Sequence, residues 1–244
     1  MIYLFSSANS LNSILTIDKK SKEGGSDSIF QLAKENNIDQ VFLIEKNPSS
    51  FPQALSNATE LGLQLVYGLS LTVCEDSDDK ELESISTEHK MVFIAKTGEA
   101  YKNILMKLYS DAATRGNYNG LPRTDFDRIK EFWGEDMLMM VPFYDNFLHK
   151  NLFSFGNCLV KFHEYNPTFC VEYHELPLDR MMAIKIKEYC KENNYDYINS
   201  HSVRYKSEED IDAYLTYRCI QNKSSIQCPN LEGFSSNKFS LIRG

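Results

Sequence analysis

The amino-acid sequence predicts an α/β fold in which parallel strands form a barrel or an open sheet and helices lie outside it. The first observation is order, since roughly six or seven short apolar segments alternate with helix-like segments. The second is that several apolar segments, such as residues 91–95, are continuous, as expected of strands buried on both faces. The third is length: 244 residues can bury one sizeable core, so a single domain over residues 1–244 is predicted.

The first third of the chain predicts the order strand, helix, strand, helix, strand. The strands are predicted at 2–6, 40–44 and 63–73, and the helices are predicted after the Gly24-Gly25-Ser26-Asp27 turn, as far as Asn36, and over 51–61. Gly62 follows the second helix and closes it. Gly68 lies inside the third strand, where a glycine often marks a bulge or a close backbone approach.

Residues 88–116 hold a strand that runs directly into a helix, with His89 at the strand's entrance. Thr97 is the predicted N-cap, because its side-chain oxygen can accept an amide proton of the first turn. Apolar residues then recur at helical spacing until Gly116 ends the helix. Before this unit, residues 75–88 are acidic and lack a large apolar face, which predicts a solvated loop or hairpin.

The rest of the chain continues the alternation of strands and helices. Strands are predicted at 137–141, 159–162, 169–173 and 197–198, and helices at 125–132, 146–153, 178–193 and from Ser207 to about Cys219. The residues expected to fill one broad face of the helix 178–193 are Met181, Met182, Ile184, Ile186, Tyr189 and Cys190. The residues expected in the core of the strand 137–141 are Met137, Met139 and Met140.

The composition excludes several classes of function. Lysine plus arginine total 26 against 34 acidic residues, a net charge of −8, so no strong direct binding to nucleic acid is expected. The first residues lack a basic leader with an apolar core, and no apolar run approaches the roughly 20 residues of a spanning helix. We therefore expect a soluble, cytoplasmic protein with no membrane partner. The six cysteines form no CxxC pair and are expected to be reduced and mostly buried: Cys74, Cys158, Cys170, Cys190, Cys219 and Cys228.

Four segments resemble one known family in the same order along the chain. Residues 88–116, EHKMVFIAKTGEAYKNILMKLYSDAATRG, combine a His-led apolar strand, a helix and an Arg-Gly ending. The others are residues 62–73, residues 196–205 (DYINSHSVRY), and Cys219-Ile220-Gln221 with residues 234–239. Together they resemble the N-terminal PHP (polymerase and histidinol phosphatase) domain of bacterial C-family replicative DNA polymerases, the polymerase III alpha type. The resemblance implies a distorted (βα)7 barrel with parallel strands and outer helices.

A working site in that family holds three metal ions between histidines and carboxylates at the barrel mouth and hydrolyses phosphate esters. Closely spaced divalent cations repel one another unless carboxylates neutralise them. Carried onto this sequence, the family's ligand positions fall on Ile2, Leu4 and Ser6, on Glu45 and Lys46, on Ser70, on or near Phe143, and on Ser202 and Arg204. His89 keeps a ligand side chain, and Glu45 is a weaker second candidate. The resemblance thus implies a degenerate metal site.

One imidazole and one carboxylate cannot hold three metal ions, so neither phosphoesterase activity nor a cofactor is expected. Some family members also carry eroded sites, and there the domain is a scaffold. The resemblance therefore implies a non-catalytic domain of, or associated with, a C-family replicative polymerase. Its expected partners are the replicative polymerase module or the proofreading exonuclease.

Two alternatives for the function stay open at this point. The first is an active phosphoesterase or exonuclease that binds zinc, manganese or iron through rearranged ligands. The second is an interaction module that mimics a host's PHP domain and captures its exonuclease or clamp.

The site residues also have alternative interpretations. His89 alone could be a hydrogen-bonded structural histidine, and Glu45, Lys46, Ser202 and Arg204 could form a plug of salt bridges at the barrel mouth. A second set of ligand-type residues would make a relocated metal site if their strands are neighbours, and otherwise consists of exposed strand and loop ends. That set is His163, Glu172, His174, Glu175 and His201.

Overall fold

Seven strands close into a barrel that helices surround, as shown by a computed structural model that describes residues 1–162, 164–222 and 235–242. The strands, in chain order, are β1 Ile2–Phe5, β2 Gln40–Glu45, β3 Gln64–Val73, β4 His89–Ala95, β5 Arg123–Thr124, β6 Met137–Val141, β7 Thr168–Val171, β8 Asp196–Val203, β9 Tyr205–Ser207 and β10 Ser240–Ile242. Around the barrel the order is β2, β1, β8, β7, β6, β4 and β3, and β3 pairs with β2 to close the ring.

The helices alternate with the strands, as the sequence predicts. They are α1 Ile29–Glu35, α2 Phe51–Glu60, α3 Gly98–Ala100, α4 Met106–Thr114, α5 Phe126–Phe132, α6 Phe147–Phe153, α7 Asp179–Asn193 and α8 Ile211–Asn222. A π-helical turn, Tyr101–Leu105, joins α3 to α4. The predicted cap is confirmed, because the Thr97 hydroxyl oxygen accepts a hydrogen bond from the Ala100 amide at 3.1 Å.

One strand of the barrel runs against the others. β4 is antiparallel to both β3 and β6, whereas the remaining barrel pairs are parallel. The expectation of a barrel with outer helices is confirmed, but the expectation that every strand is parallel was wrong. The physical reason is that residues 74–88 return the chain at the same end of the barrel, so that β4 pairs with β3 as a hairpin. The N-terminal end of β4 therefore lies at the barrel mouth, with the carboxyl ends of the parallel strands.

The two faces of the barrel strands have different surroundings. Tyr67 of β3 contacts Phe51 of α2, with 5.3 Å between ring centroids, so this face is turned to the helices. The neighbouring Gly68 faces the interior, where a Cβ would overlap the side chain of Ile44 on β2. The close approach that a glycine inside β3 predicts is therefore confirmed.

Gly116 is needed for a different reason from the one the sequence indicates. It follows α4, but its backbone is not in the left-handed region that favours a glycine cap. A Cβ at this position would overlap the backbone oxygen of Arg123 on β5. The absence of a side chain at Gly116 therefore lets the end of α4 lie directly against β5.

The acidic segment 75–88 is a loop with a 3-10 turn, Leu82–Thr87, and two arginines anchor it to the barrel wall. Arg123 is fully buried and donates to the Asp79 carbonyl at 2.5 Å and to Glu88 Oε1 at 3.2 Å. Arg128 of α5 pairs with Asp78 Oδ1 at 2.5 Å. The segment is thus fixed by buried cations rather than by an apolar face.

Several predicted elements need correction. Residues 159–162 form no strand, whereas β8 extends well beyond the predicted residues 197–198. Met181 and Ile184 are 51% and 56% exposed, because only one stripe of α7 can face the barrel. The residues on that buried stripe are Met182, Ile186 and Cys190. The three methionines predicted in the core of β6 are all buried.

The cysteines of the described residues are free thiols, four of them buried and Cys219 partly exposed, while Cys228 lies outside the described residues. Within the same part of the chain, every helix is too short or too polar to cross a membrane.

A small second cluster lies beside the end of β8, where β9 pairs with β10. Its buried members are Tyr205, Tyr214 and Phe239, and Tyr144 packs against it from the loop after β6. The segment 235–242 therefore contacts the barrel at the same end as the predicted ligand positions.

Candidate functional site

The residues of β1, β3 and β8 at which the PHP resemblance would place metal ligands line the barrel interior. Ile2 and Leu4 pair with Ser200 and Ser202, so these four side chains share a face. Ser70 follows Gly68 by two residues along β3 and faces the same interior. Aliphatic and hydroxyl groups thus occupy positions at which the resemblance predicts metal ligands.

Two further residues at which the resemblance would place metal ligands lie in connecting segments. Ser6 follows β1 directly and is partly exposed. Phe143 is buried in the turn after β6 and contacts the Tyr144 ring edge to face, with 4.9 Å between centroids. Neither adds an imidazole or a carboxylate to the barrel mouth.

Glu45 lies on the face of β2 that is turned away from the barrel interior. Glu45 pairs with Leu69 of β3. Because the adjacent Gly68 faces the interior, Leu69 and Glu45 face outward. The carboxylate accepts hydrogen bonds from the Ser7 amide at 2.9 Å and from the Ser10 hydroxyl, which binds it to the loop after β1. Burial raises the pKa of Glu45 to about 7, although the Ser7 hydrogen bonds act in the opposite direction.

Replacing Glu45 with glutamine should change how stability depends on pH. The folded state holds the proton more tightly than the unfolded chain, so the stability that Glu45 contributes is present below about pH 4.5 and lost as pH rises through about 7. The loss amounts to at most about 3 kcal/mol. Urea unfolding at pH 5 and pH 8 should show the E45Q variant gaining stability relative to wild type as pH rises. The exposed Glu192→Gln is the matched control, and equal profiles for E45Q and wild type would contradict the prediction.

His89 also faces away from the barrel interior, toward α6. Its ring lies 6.2 Å from that of Phe147, and Nδ1 donates to the Thr87 carbonyl at 3.2 Å. Nε2 is buried without a hydrogen-bond partner among the described residues. Burial is the main cause that lowers the pKa of His89 to about 4, so the imidazole is neutral at neutral pH.

Replacing His89 with asparagine should have the opposite effect on the pH profile. The unfolded chain binds the proton more tightly, so the stability from neutral His89 is present above about pH 6.5 and lost as pH falls through about 4. Between about pH 4 and pH 7 the stability from neutral His89 rises with pH, while the stability from Glu45 falls. The H89N variant keeps only the Glu45 effect, so its free energy of unfolding should decline more steeply with rising pH than that of wild type. NMR titration gives a direct check: a His89 ring that titrates near 6.5 would refute the prediction.

Glu45 and His89 are not brought together. Their partners on β3 are Leu69 and Val73, four positions apart, which corresponds to about 13 Å along the strand. The two residues also lie on separate strands on either side of β3. They cannot share one metal ion in this arrangement.

Positive side chains occupy the barrel mouth. Lys46 follows β2 on the interior face, and Lys90 of β4 donates from Nζ to the Thr72 hydroxyl on β3 at 2.5 Å. Arg204 follows β8, stacks on the Phe239 ring with its Cζ 3.7 Å from the centroid, and donates to the Tyr214 hydroxyl at 2.9 Å. The mouth is thus rich in cations.

The predicted plug of salt bridges is not formed. All four of its residues are described, and none of them forms an ion pair with another. Ser202 instead donates to Glu172 of the segment after β7, from its amide at 3.0 Å and from its hydroxyl at 3.0 Å. The reason is orientation, since Glu45 faces out while Lys46 and Arg204 face in.

Glu172 is a buried carboxylate that directly follows β7 and faces the serines of β8. Besides Ser202, the Ser200 hydroxyl donates to it at 3.1 Å. Complete burial raises its pKa, while the serine hydrogen bonds and the positive charge of Arg204 act against that rise. The polar residues of β8 are therefore satisfied inside the barrel by one acidic side chain.

A buried aromatic and imidazole group adjoins Glu172. His174 stacks on Phe239 with 3.8 Å between centroids and lies 4.8 Å from the His201 ring. The Tyr144 hydroxyl donates to Asp179 at 3.1 Å and lies 3.0 Å from His174 Nδ1. Burial and the charges of Asp179 and Glu172 raise the pKa of Tyr144, so the hydroxyl stays protonated.

Part of the second predicted ligand set is therefore assembled. Glu172 Oε2 lies 3.5 Å from His174 Nδ1, and His201 adjoins His174 because β7 and β8 are neighbours. His201 Nε2, however, lies 2.8 Å from the Ser240 carbonyl. Glu175 is exposed, and His163 lies outside the described residues. Among the described residues, no three His, Cys, Asp or Glu side chains have metal-binding geometry.

The metal cluster of the PHP family does not fit the donors at the barrel mouth. Lys46 and Arg204 are cations that would repel divalent metal ions, and Ser202 already donates to Glu172. Ile2 and Leu4 have no donor atoms.

Sequence reasoning missed four polar residues at this end of the barrel: Lys90, Thr72, Asp179 and Tyr144. Lys90 and Thr72 lie in mostly apolar strands, and Asp179 lies at the start of α7. Lys90 shares a face with Val92 and His89 shares a face with Met91, but both faces of β4 are apolar, so the sequence pattern does not show which side is the interior. Tyr144 had no distinguishing signal.

Comparisons with known proteins give no family: neither a protein-family model nor a curated protein sequence matches this chain.

Proposed function

We propose that this chain is a non-catalytic, PHP-like barrel that acts as a scaffold with a C-family replicative DNA polymerase. In this role it holds a proofreading exonuclease or another component of the replication machinery. The observation that carries the proposal is the barrel mouth, where lysine, arginine, serine and aliphatic side chains occupy the positions that the resemblance assigns to metal ligands. The closed, mostly parallel barrel with outer helices is compatible with the fold of that family.

The chemistry of the mouth supports a structural role for the barrel. Glu172 accepts hydrogen bonds from both interior serines of β8, so its carboxylate is engaged in holding the strand ends together. Phe239 and Arg204 stack above this end, and Tyr205 and Tyr214 pack beside them. A site that is filled by its own side chains keeps the shape of the mouth without a metal.

Two measurements test the scaffold. The first is size-exclusion chromatography of the full chain mixed with a purified C-family polymerase module or proofreading exonuclease from the same genome. We expect a stoichiometric complex, and failure to bind either protein would contradict the proposal. Binding to an exonuclease or clamp of a different, host genome would instead support the mimicry alternative.

The second measurement is metal analysis of protein purified without chelator. Stoichiometric zinc, manganese or iron that is lost in a His89→Ala variant would overturn the scaffold proposal. His149→Ala is the control, because His149 is a partly buried histidine of α6, the helix that His89 faces.

A second candidate function rests on the neighbouring Glu172, His174 and His201. These three side chains are buried at the mouth end of adjacent strands, and they are residue types that bind divalent metal. An active phosphoesterase with rearranged ligands would use them. Hydrolysis of a phosphodiester in the presence of Mn²⁺ or Zn²⁺ that is abolished in His174→Gln, but not in His149→Gln, would favour this candidate.

A further inference from the structure

Strand register places two lysines and two hydroxyl groups on one interior face at the barrel mouth. Ile44 pairs with Gly68, so Lys46, two residues later, is level with Ser70. Thr72 pairs with Lys90 on the other side of β3. The two lysine backbones are separated by two strand spacings, about 10 Å, with the hydroxyl-bearing strand between them. Lysine side chains are long enough to converge on one small group above that strand.

Neighbouring carboxylates only partly neutralise the positive charges of Lys46, Lys90 and Arg204. Among the described residues, the Lys46 ammonium has neither a hydrogen bond nor an ion pair, and that of Lys90 donates to the neutral Thr72 hydroxyl. Arg204 directly follows β8, which lies across β1 from β2, and it donates to the neutral hydroxyl of Tyr214. Asp145 is the carboxylate that attracts both lysines.

The other carboxylates near the mouth are engaged elsewhere. Glu45 accepts from Ser7 and Ser10 on the outer face of β2, and Glu88 pairs with Arg123. Glu172 attracts Arg204 and accepts from the serines of β8.

Repulsion between cations is the largest effect of charge on each lysine. Burial and then the positive charge of Arg218 lower the pKa of Lys46, and Asp145 only partly opposes this. Burial and then the charge of Lys46 lower the pKa of Lys90 to about 8. An anion placed between these groups would remove the repulsion and satisfy the ammonium protons.

We propose that the barrel mouth binds a single phosphate group, held by the ammonium groups of Lys46 and Lys90 and the guanidinium of Arg204. The hydroxyl groups of Ser70 and Thr72 donate hydrogen bonds to the same phosphate. This inference does not depend on the polymerase partner, because it uses only the charges that stand in the mouth.

The charge of the site selects a phosphate monoester. Three cations around one position favour the dianion of inorganic phosphate or of a terminal phosphate over the monoanion of a phosphodiester. The net charge of the whole chain is −8, which repels a long polyanion while leaving a local site for one small anion. Free phosphate and a phosphorylated small molecule share this chemistry, and the experiment separates them.

Isothermal titration calorimetry of the full chain tests the site with inorganic phosphate, in chloride buffer of constant ionic strength. Lys46→Ala should weaken binding about tenfold, the loss of one charge-assisted hydrogen bond, and Lys46→Glu should abolish it. Much of the Lys46 side chain is open to solvent, although the surrounding mouth desolvates its ammonium group, so both variants should fold as wild type does. The matched control is Lys161→Ala, because Lys161 is an exposed lysine paired with Asp127 on the outer surface. No binding by wild type, or equal binding by wild type and K46A, would overturn the proposal.

Two further probes identify the anion. A 5′-phosphorylated dinucleotide that binds more tightly than inorganic phosphate indicates a phosphorylated small molecule, and equal affinities indicate phosphate alone. Both results support the site. An unphosphorylated dinucleotide that binds as tightly as the phosphorylated one would overturn the monoester assignment.

NMR of the lysine side chains gives an independent readout. Bound phosphate should raise the pKa of Lys90 from about 8 toward the ordinary lysine value of 10.5. A Lys90 pKa that is unchanged at saturating phosphate would refute its role.

Discussion

Replacing Arg123 with methionine should lower the free energy of unfolding by about 3–5 kcal/mol. The guanidinium is fully buried and donates to the Ser84 hydroxyl at 3.0 Å, to Glu88 and to the Asp79 carbonyl. Its Cζ also lies 4.6 Å from the centroid of the Tyr118 ring. Methionine fills much of the volume but leaves these acceptors without a donor, so the cost exceeds that of losing a surface ion pair.

Urea unfolding measures the change, and hydrogen exchange locates it. Amide protons of residues 75–88 should exchange faster in R123M, because Arg123 is the buried anchor of that loop. The matched control is Arg180→Met, an exposed arginine 5.9 Å from the Tyr173 ring, for which we expect less than about 1 kcal/mol. A loss of similar size in the two variants would refute the anchoring role of Arg123.

Replacing Glu172 with alanine should lower the free energy of unfolding by about 3 kcal/mol or more. Two hydroxyl groups and one backbone amide at Ser200 and Ser202 would lose their buried acceptor. Arg204 would also lose the nearby negative charge. The physical basis is that a buried donor without an acceptor loses its solvation by water and gains nothing in return.

Glu172→Gln separates the hydrogen bonds from the charge. The glutamine retains one carbonyl oxygen and the volume of the side chain, so it should lose only about 1 kcal/mol. Glu192→Ala, on the exposed surface of α7, is the control and should be near neutral. If E172A and E192A unfold at the same urea concentration, Glu172 does not hold the strand ends together.

The order of strands and helices could be predicted because it depends on local patterns. Continuous apolar runs predicted the strands β2, β3, β4 and β6, and Thr97 as a cap predicted the start of the helix that follows β4. The strand β8 was predicted too short, since Ser200, His201 and Ser202 resemble a loop in isolation. They form a strand because their backbone pairs with β1, while Glu172, directly after β7, accepts from Ser200 and Ser202 and the Ser240 carbonyl bonds to His201.

The candidate site could be predicted less well than the fold. The sequence identified the positions at the barrel mouth, and Lys46, Ser70, Ser202 and Arg204 do face the interior. It did not show that Glu45 and His89 face outward, because a strand buried on both faces has no apolar alternation to separate them. Nor did it show the direction of β4, since an apolar run has the same composition in either direction.

The antiparallel strand also bears on the order in which the chain folds. The pair Val73 and His89 closes over only 16 positions, whereas Ile2 and Ser200 are 198 positions apart. Short loops cost less entropy to close, and local pairings form faster. The β3–β4 hairpin is therefore expected to form early and the β1–β8 seam last. Pulse-labelled hydrogen exchange should protect amides of β4 before those of β1, and simultaneous protection would rule out this order. A barrel with one reversed strand thus contains its own local nucleus, which a fully parallel barrel lacks.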